Sequence, residues 1–83
     1  MKIDLRYFAS IREAVGQPGE SLETSADTLG ALRDELIARG GAYAQALARG
    51  KAVRMALDQV MADESAALRE GAEVAFFPPV TGG

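Results

Sequence analysis

A chain of 83 residues with a formal net charge of −3 is long enough for one small domain. Acidic residues outnumber basic ones by 12 to 9 and are spread along the chain, which argues against a nucleic-acid-binding surface. The chain contains no cysteine and no histidine, so it lacks disulfides, the usual metal ligands, and the usual nucleophile and general base. We therefore predict a protein that is not an enzyme on its own and that holds no metal ion and no bound cofactor.

Membrane insertion is also not expected. The apolar stretches are far shorter than the ~20 residues that a membrane-spanning helix requires. The first residues, MKIDLRYF, lack the apolar core of a signal peptide. We expect a cytoplasmic protein.

The first third of the chain predicts a strand, a short helix and a second strand. Apolar and polar residues alternate in KIDLRYF, as they do in a half-buried strand. In SIREAVG, Ser10 and Glu13 have the spacing of a capping box, and Gly16 is suited to a left-handed helix end. QPGE then predicts a turn, and ESLET predicts a weak second strand.

The main helix is predicted in DTLGALRDELIARGG, with Asp27 or Thr28 as its cap. Three leucines form one apolar stripe at helical spacing: Leu29, Leu32 and Leu36. Glu35 precedes Arg39 by one turn, a favourable order for an ion pair. The double glycine that follows is expected to stop the helix.

The second half of the chain predicts three short strands after a helical turn or loop in AYAQALARG. AVRMAL alternates, Asp58 and Gln59 form a two-residue turn, and VMA begins the returning strand. A turn at Gly71 leads into the final strand, Glu73 to Phe77. This order predicts an α+β domain at residues 1–77, with one main helix across a mixed sheet, and an extended tail at residues 78–83.

The tail PPVTGG has an unusual composition for the end of a small domain. Pro78 and Pro79 cannot donate ladder hydrogen bonds, so the sheet must end at Phe77, and both prolines favour extended geometry. The six tail residues can reach roughly 20 Å, at about 3.3–3.6 Å each. Gly82 and Gly83 carry no Cβ and fit a narrow channel.

The α-carboxylate of Gly83 is the functional group that the tip of this tail offers. It is ionised at neutral pH and a poor electrophile, so it reacts only after activation, for example as an acyl-adenylate made from ATP. An activated glycyl end can accept sulfur and become a thiocarboxylate. The alternative is that PPVTGG is an inert, frayed end.

Two outward aromatic residues are candidates for a docking surface. Phe8 and Phe77 fall on the outer face of the first and last strands, and alternation places Met61 outward as well. The open alternative is that the short helix covers Phe8. Arg12 with Arg6 could meet an acidic partner or form a solvated rim.

Four stretches, YFASIRE, LRDEL, ALDQ and EGAEVAFFPPVTGG, make the whole chain resemble the small, sulfur-carrying subunits of molybdopterin synthase. The resemblance implies a β-grasp, ubiquitin-like fold with the first and last strands side by side in the sheet centre. It implies that a ubiquitin-activating-like enzyme uses ATP to adenylate Gly83, which then takes sulfur from a donor protein and becomes a thiocarboxylate. Sulfur would pass to cyclic pyranopterin monophosphate to form the molybdopterin dithiolene.

The resemblance also implies a partner and assigns site residues. The partner is the large synthase subunit, in a heterotetramer of two large and two small subunits, and the catalytic lysines lie on the large subunit. The docking surface carries over to Phe8, Met61 and Phe77, beside which we place Arg12. The inserted tail comprises Pro78, Pro79, Val80, Thr81 and Gly82, with Gly83 at its tip.

Three other functions remain open on the sequence. A thiamine-type sulfur carrier also ends in Gly-Gly but is usually shorter and lacks the FFPPVTGG finish. A ubiquitin-like modifier that conjugates to lysines uses the same activated glycine. A plain interaction module, a different class of protein, would carry an inert tail.

Overall fold

A computed structural model describes residues 1–79 of the chain. These residues form five strands and three helices, in the order β1 (Lys2–Tyr7), α1 (Ala9–Val15), β2 (Gly19–Glu23), α2 (Leu29–Ile37), α3 (Gly41–Ala46), β3 (Arg54–Leu57), β4 (Val60–Ala62) and β5 (Glu73–Phe77). The segment AYAQALARG, for which the sequence left a helical turn or a loop open, contains most of the short helix α3, which begins one residue earlier at Gly41.

The five strands form one mixed sheet in the order β2-β1-β5-β3-β4. The central pair, β1 and β5, is parallel, with Leu5 opposite Val74 and Tyr7 opposite Phe76. The other neighbouring pairs are antiparallel. The predicted mixed sheet, with its first and last strands adjacent at the centre, is confirmed.

The core lies between the inner face of the sheet and the helices. Leu29, Leu32 and Leu36 of α2 are fully buried, as their helical spacing predicts. They share one apolar cluster with residues of the three central strands: Ile3, Leu5, Tyr7, Met55, Val74 and Phe76. Burial of this cluster provides the main stabilisation of so small a domain.

Three local predictions about chain reversals and helix ends are confirmed. Gly16 ends α1 in the left-handed region, with φ at 88°. Thr28 caps α2, because its hydroxyl accepts a hydrogen bond from the N–H group of Ala31 at 3.1 Å. Asp58 and Gln59 both have positive φ, 50° and 69°, as a tight turn between β3 and β4 requires.

The capping box predicted at the start of α1 is wrong. The helix begins directly after β1, with Phe8 as its N-cap residue and with no hydrogen bond from a capping side chain. Ser10 therefore lies inside the first turn, too late to cap it. The carbonyl group of Phe8 accepts from the N–H groups of Ile11 and Arg12 instead.

The ion pair predicted between Glu35 and Arg39 is also absent, since α2 ends at Ile37, before Arg39. Arg39 donates to the carboxylate of Glu20 on β2, at 3.1 Å, and not to Glu35. Glu35 accepts a hydrogen bond from the hydroxyl of Thr24 at 2.7 Å. Both residues bind partners from a distant segment in place of each other. The local pair would have stabilised the helix by only about 0.2–0.5 kcal/mol.

Candidate functional site

The tail begins at the carboxyl end of β5, in the centre of the sheet. The strand ends at Phe77, and the tail root, which we define as Pro78 and Pro79, follows it directly. The predicted tail residues Val80, Thr81, Gly82 and Gly83 lie outside the described residues. The site is therefore built from the tail root and the surface around it.

Phe8 and Phe77 contact each other on the outer face of the sheet. Their ring centroids are 6.5 Å apart, and the rings meet edge to face. Phe8 is 47% exposed, so α1 does not cover it. The apolar side chain that α1 directs into the core is Ile11 instead, which is 4% exposed. The two aromatic residues thus form a contiguous apolar surface, as predicted.

Strand register extends this surface towards β4. Ala75 on β5 lies opposite Ala56 on β3, and Ala56 lies opposite Met61 on β4, so all three side chains share the outer face with Phe77. Met61 is 54% exposed. We call the set Phe8, Phe77, Ala56, Ala75 and Met61 the outer patch. Its small alanines form a shallow floor between the aromatic pair and the methionine.

Arginines border the outer patch. Arg54 lies opposite Phe77 in the β3–β5 pairing, and Arg12 follows Phe8 by one turn of α1. Both are exposed. Arg6 lies opposite Ala75 and pairs loosely with Glu73, at 3.8 Å. A basic border around an apolar floor favours a partner surface with acidic groups around an apolar projection.

Two clefts flank the tail root. The larger, about 360 Å³, is bounded by residues 52–55 and 61–64 and by Pro79. The smaller, about 120 Å³, is lined by parts of α1, by residues 51–53 and by Pro78. Segment 51–55 therefore contributes to both clefts and faces both prolines of the tail root.

A polar cluster lies at the opposite edge of the sheet, around Glu20 on β2. Four side chains donate hydrogen bonds to its carboxylate: Tyr43 (2.7 Å), Tyr7 (2.9 Å), Gln17 (3.0 Å) and Arg39 (3.1 Å). Although partial burial alone would raise the pKa of this carboxyl group, hydrogen bonds from Tyr43, Arg39 and Tyr7 hold the pKa below its ordinary value of 4.5. Burial, and then the bond to Glu20, raises the pKa of Tyr7.

Sequence patterns did not predict this cluster, because its members come from four separate segments of the chain. Within residues 1–79, no group of three or more acidic side chains is arranged to hold a metal ion. No helix in that range is long and apolar enough to cross a membrane.

Similarity to known proteins extends over nearly the whole chain. A sequence model of the ThiS family matches residues 5–83. The molybdopterin synthase sulfur carrier subunit of Escherichia coli is 40% identical over 81 residues, which cover 98% of this chain and 99% of that protein. The similarity thus includes both the domain and the tail sequence.

Solved structures share the fold. SAMP1 from Haloferax volcanii has a TM-score of 0.77 and 25% identity, and the likeness covers 100% of both chains. A protein–protein complex of subunits 1 and 2 of the molybdopterin-converting factor from Helicobacter pylori contains a chain with a TM-score of 0.70 and 24% identity, again with 100% coverage of both. The β-grasp fold that the sequence resemblance implies is confirmed.

Proposed function

The chain belongs to the ThiS family, and from this premise we propose that it is the sulfur carrier subunit of a molybdopterin synthase. The observation that carries the proposal is the 40% identity to a protein of that name over 98% of this chain. The similarity extends through the tail, where the reactive group is proposed to lie. We also propose that the protein is located in the cytoplasm.

The chemistry proceeds at the carbonyl carbon of Gly83. A carboxylate oxygen attacks the α-phosphorus of ATP, pyrophosphate leaves, and an acyl-adenylate forms. The terminal sulfur of a donor protein's persulfide then attacks the carbonyl carbon, AMP leaves, and an acyl disulfide forms. A second thiol cleaves its S–S bond, which releases the thiocarboxylate and leaves a disulfide on the donor. Each loaded end finally gives one sulfur to cyclic pyranopterin monophosphate and returns to the carboxylate by hydrolysis, so two loaded chains supply the dithiolene of molybdopterin. ATP is consumed by the activating enzyme and is not held by this chain.

The amino-acid composition supports a terminal cargo site. The chain has no cysteine on which sulfur could be carried as a persulfide, and no histidine to serve as a general base. Catalytic groups for the transfer are therefore assigned to the large subunit of the synthase. This chain contributes the sulfur and presents it.

The outer patch is proposed as the surface that docks on the large subunit. It lies next to the tail root, so a partner that covers Phe77 also meets Pro78 and Pro79. The Helicobacter pylori neighbour comes from a complex of two subunits, which supports a partner of this kind. The full assembly is proposed to be a heterotetramer with the two large subunits at its centre.

Intact-protein mass spectrometry tests the proposal. After incubation with ATP, an activating enzyme of the family and a sulfur source, the mass should increase by the difference between sulfur and oxygen. A chain without Gly83, and a chain with one residue added after it, should both remain unloaded, because the reactive carbonyl moves by about 3.5 Å. Both variants should keep the unfolding temperature of the wild type. Loading of either variant at the wild-type rate would contradict the proposal.

A second function is favoured by the likeness to SAMP1, which shares 25% identity over the whole chain. SAMP1 belongs to the small archaeal modifier proteins. A modifier would transfer its activated glycyl end to a lysine amine and release AMP. The same incubation, carried out with no sulfur source and with a cell extract, separates the two functions, since a modifier yields isopeptide-linked conjugates and a carrier yields none. An interaction module would show neither product.

A further inference from the structure

One arginine of α2 is buried among the carbonyl groups that follow α3. Arg33 is 4% exposed. Its guanidinium donates to the carbonyl oxygens of Leu47 at 2.8 Å, Ala48 at 2.7 Å and Lys51 at 3.2 Å. Leu47 is the C-cap residue of α3, and the last carbonyl groups of a helix have no partner within it, so Arg33 caps α3 and also holds the loop that follows. It thereby fixes the chain just before segment 51–55, which borders both clefts.

Glu64 completes the arrangement from the other side. Its carboxylate accepts from Arg33 at 3.3 Å and also from Arg49. Its carbonyl oxygen accepts from the N–H group of Gly30, in the first turn of α2, at 2.9 Å. A Cβ atom at Gly30 would lie 3.0 Å from the Glu64 carboxylate, so the absence of a side chain there permits this close approach.

Burial of this charge calls for an explanation beyond stability. Glu64 is 39% exposed, so its attraction to Arg33 is weakened by solvent and offsets little of the cost of burying the guanidinium. The hydrogen bonds of Arg33 instead fix geometry closely, because all of them are made. Within the described residues, no buried side-chain nitrogen or oxygen lacks a partner. The network is therefore complete, as a positioning device requires.

Both walls of the larger cleft at the tail root are connected to this network. One wall, residues 52–55, continues from the loop that Arg33 holds, and the other wall ends at Glu64 itself. Pro79 lines the cleft between them. A change in the position of Glu64 therefore moves the surface on which the tail root lies.

We propose that Arg33 and Glu64 are positioning residues that hold the two walls of the cleft around Pro79 and so set the direction in which the tail leaves the domain. The consequence for sulfur transfer rests on the proposed function, whereas the geometry belongs to the isolated chain. Direction matters because a small rotation at the root grows with distance along the chain. A rotation of about 10° displaces a point about 20 Å away by about 3.5 Å, one residue length.

Glu64→Gln is the variant that tests this inference. It keeps the size of the side chain but replaces one of the two accepting oxygens with a donor, which cannot bond to an arginine. Arg33→Met is less useful, because it removes the donor from three carbonyl groups, of which that of Ala48 keeps the N–H group of Lys51, and the chain could fail to fold. Glu20→Gln is the matched control: it weakens a carboxylate–arginine contact at the opposite edge of the sheet.

Two readouts are needed. The first is the set of nuclear Overhauser effects between Pro79 and the two walls of the larger cleft, residues 52–55 and 61–64, in the full-length chain without a partner. The second is a comparison of the Kd for the large subunit with the single-turnover rate of sulfur transfer. For Glu64→Gln we expect loss of the Pro79 contacts, an unchanged Kd and a transfer rate lower by about 10- to 100-fold.

Glu20→Gln should lower the unfolding temperature but leave the Pro79 contacts and the transfer rate unchanged. Gly30→Ala should cause a smaller loss of rate than Glu64→Gln, although alanine favours the helix, because its Cβ displaces Glu64. Wild-type contacts and rate in Glu64→Gln would overturn the inference, as would an equal loss of rate in Glu20→Gln. If the wild type carries no sulfur, the proposed function fails, and the Pro79 contacts still decide the inference.

Discussion

The two faces of β5 carry adjacent phenylalanines in opposite environments. Phe76 points inward, is completely buried and stacks on Tyr7 with ring centroids 6.2 Å apart. Phe77 points outward, remains partly exposed and contacts the exposed ring of Phe8. Phe76 thus stabilises the domain on the inner face, whereas Phe77, with an identical side chain, is available to a partner on the outer face. The comparison separates residues that maintain the fold from residues that serve binding.

Phe76→Ala should give the largest effect, on the inner face. Truncation of a fully buried phenylalanine costs about 3–5 kcal/mol, since it removes buried apolar area and leaves a cavity. The total free energy of unfolding of a domain of this kind is only about 5–15 kcal/mol. Urea denaturation should show this loss in the free energy of unfolding. A loss below about 1 kcal/mol would mean that the inner face is packed differently.

Phe77→Ala should affect the outer face and change binding more than stability. We expect the Kd for the large subunit to rise roughly 30-fold, or about 2 kcal/mol, as is typical for an aromatic residue at the centre of an interface. The loss in unfolding free energy should be less than half of that caused by Phe76→Ala. Calorimetric titration with the large subunit measures the Kd. A large drop in the unfolding temperature with unchanged binding would refute the outward role.

The inner face also has two hydrogen-bonded polar groups, Glu20 and Tyr7, whose protonation links the free energy of unfolding to pH. The pKa of Glu20 is lowered in the folded state, so its contribution is present above the ordinary value of 4.5 and is lost as the pH falls through the folded pKa. The pKa of Tyr7 is raised, so its contribution is present below pH 10 and is lost above it.

Glu20→Gln should therefore flatten the acid side of a plot of unfolding temperature against pH, and Tyr7→Phe should flatten the alkaline side. Because Glu20 lies near the surface, we expect its effect to be about 1 kcal/mol or less. Sulfur loading at neutral pH should not change in Glu20→Gln. An unchanged acid limb in this variant would show that other carboxylates control acid unfolding.

Val60→Thr should give the smallest effect and serves as the control for exposed apolar residues. Val60 is 67% exposed on the edge strand β4, next to Met61 but on the opposite side of the strand. We expect both stability and partner binding to stay within about 0.5 kcal/mol of the wild type. A clear loss of binding would extend the docking surface beyond the outer patch.

Regular patterns in the sequence predicted most of the fold. Alternation located the strands, the leucine spacing located α2, and Asp58 with Gln59 located the β3–β4 turn. The prediction of an ion pair between Glu35 and Arg39 was wrong, because Thr24 and Glu20 provide partners for these residues from a distant segment. The spacing of residues along a helix does not reveal which partners a distant segment brings into contact.

The candidate site was predicted in part. Alternation placed Phe8, Met61 and Phe77 on one face, and their role in docking stays a prediction. Arg33 was missed, although a signal exists: it follows Leu29 by four residues and therefore falls on the buried face of α2. A charged residue at a core position of a helix indicates a buried partner, but its identity requires the fold.

The parallel pairing of β1 with β5 has a consequence for how the protein is made. Strand β1 cannot form its parallel pairing until β5 has been synthesised. Because β5 lies between β1 and β3, it also joins the two halves of the sheet. A nascent chain therefore cannot complete its sheet until residues 73–77 have left the ribosome. A stalled chain without them is expected to be digested readily by proteases. Quality control of this kind would remove chains that stop before residue 73, which lack both β5 and the tail.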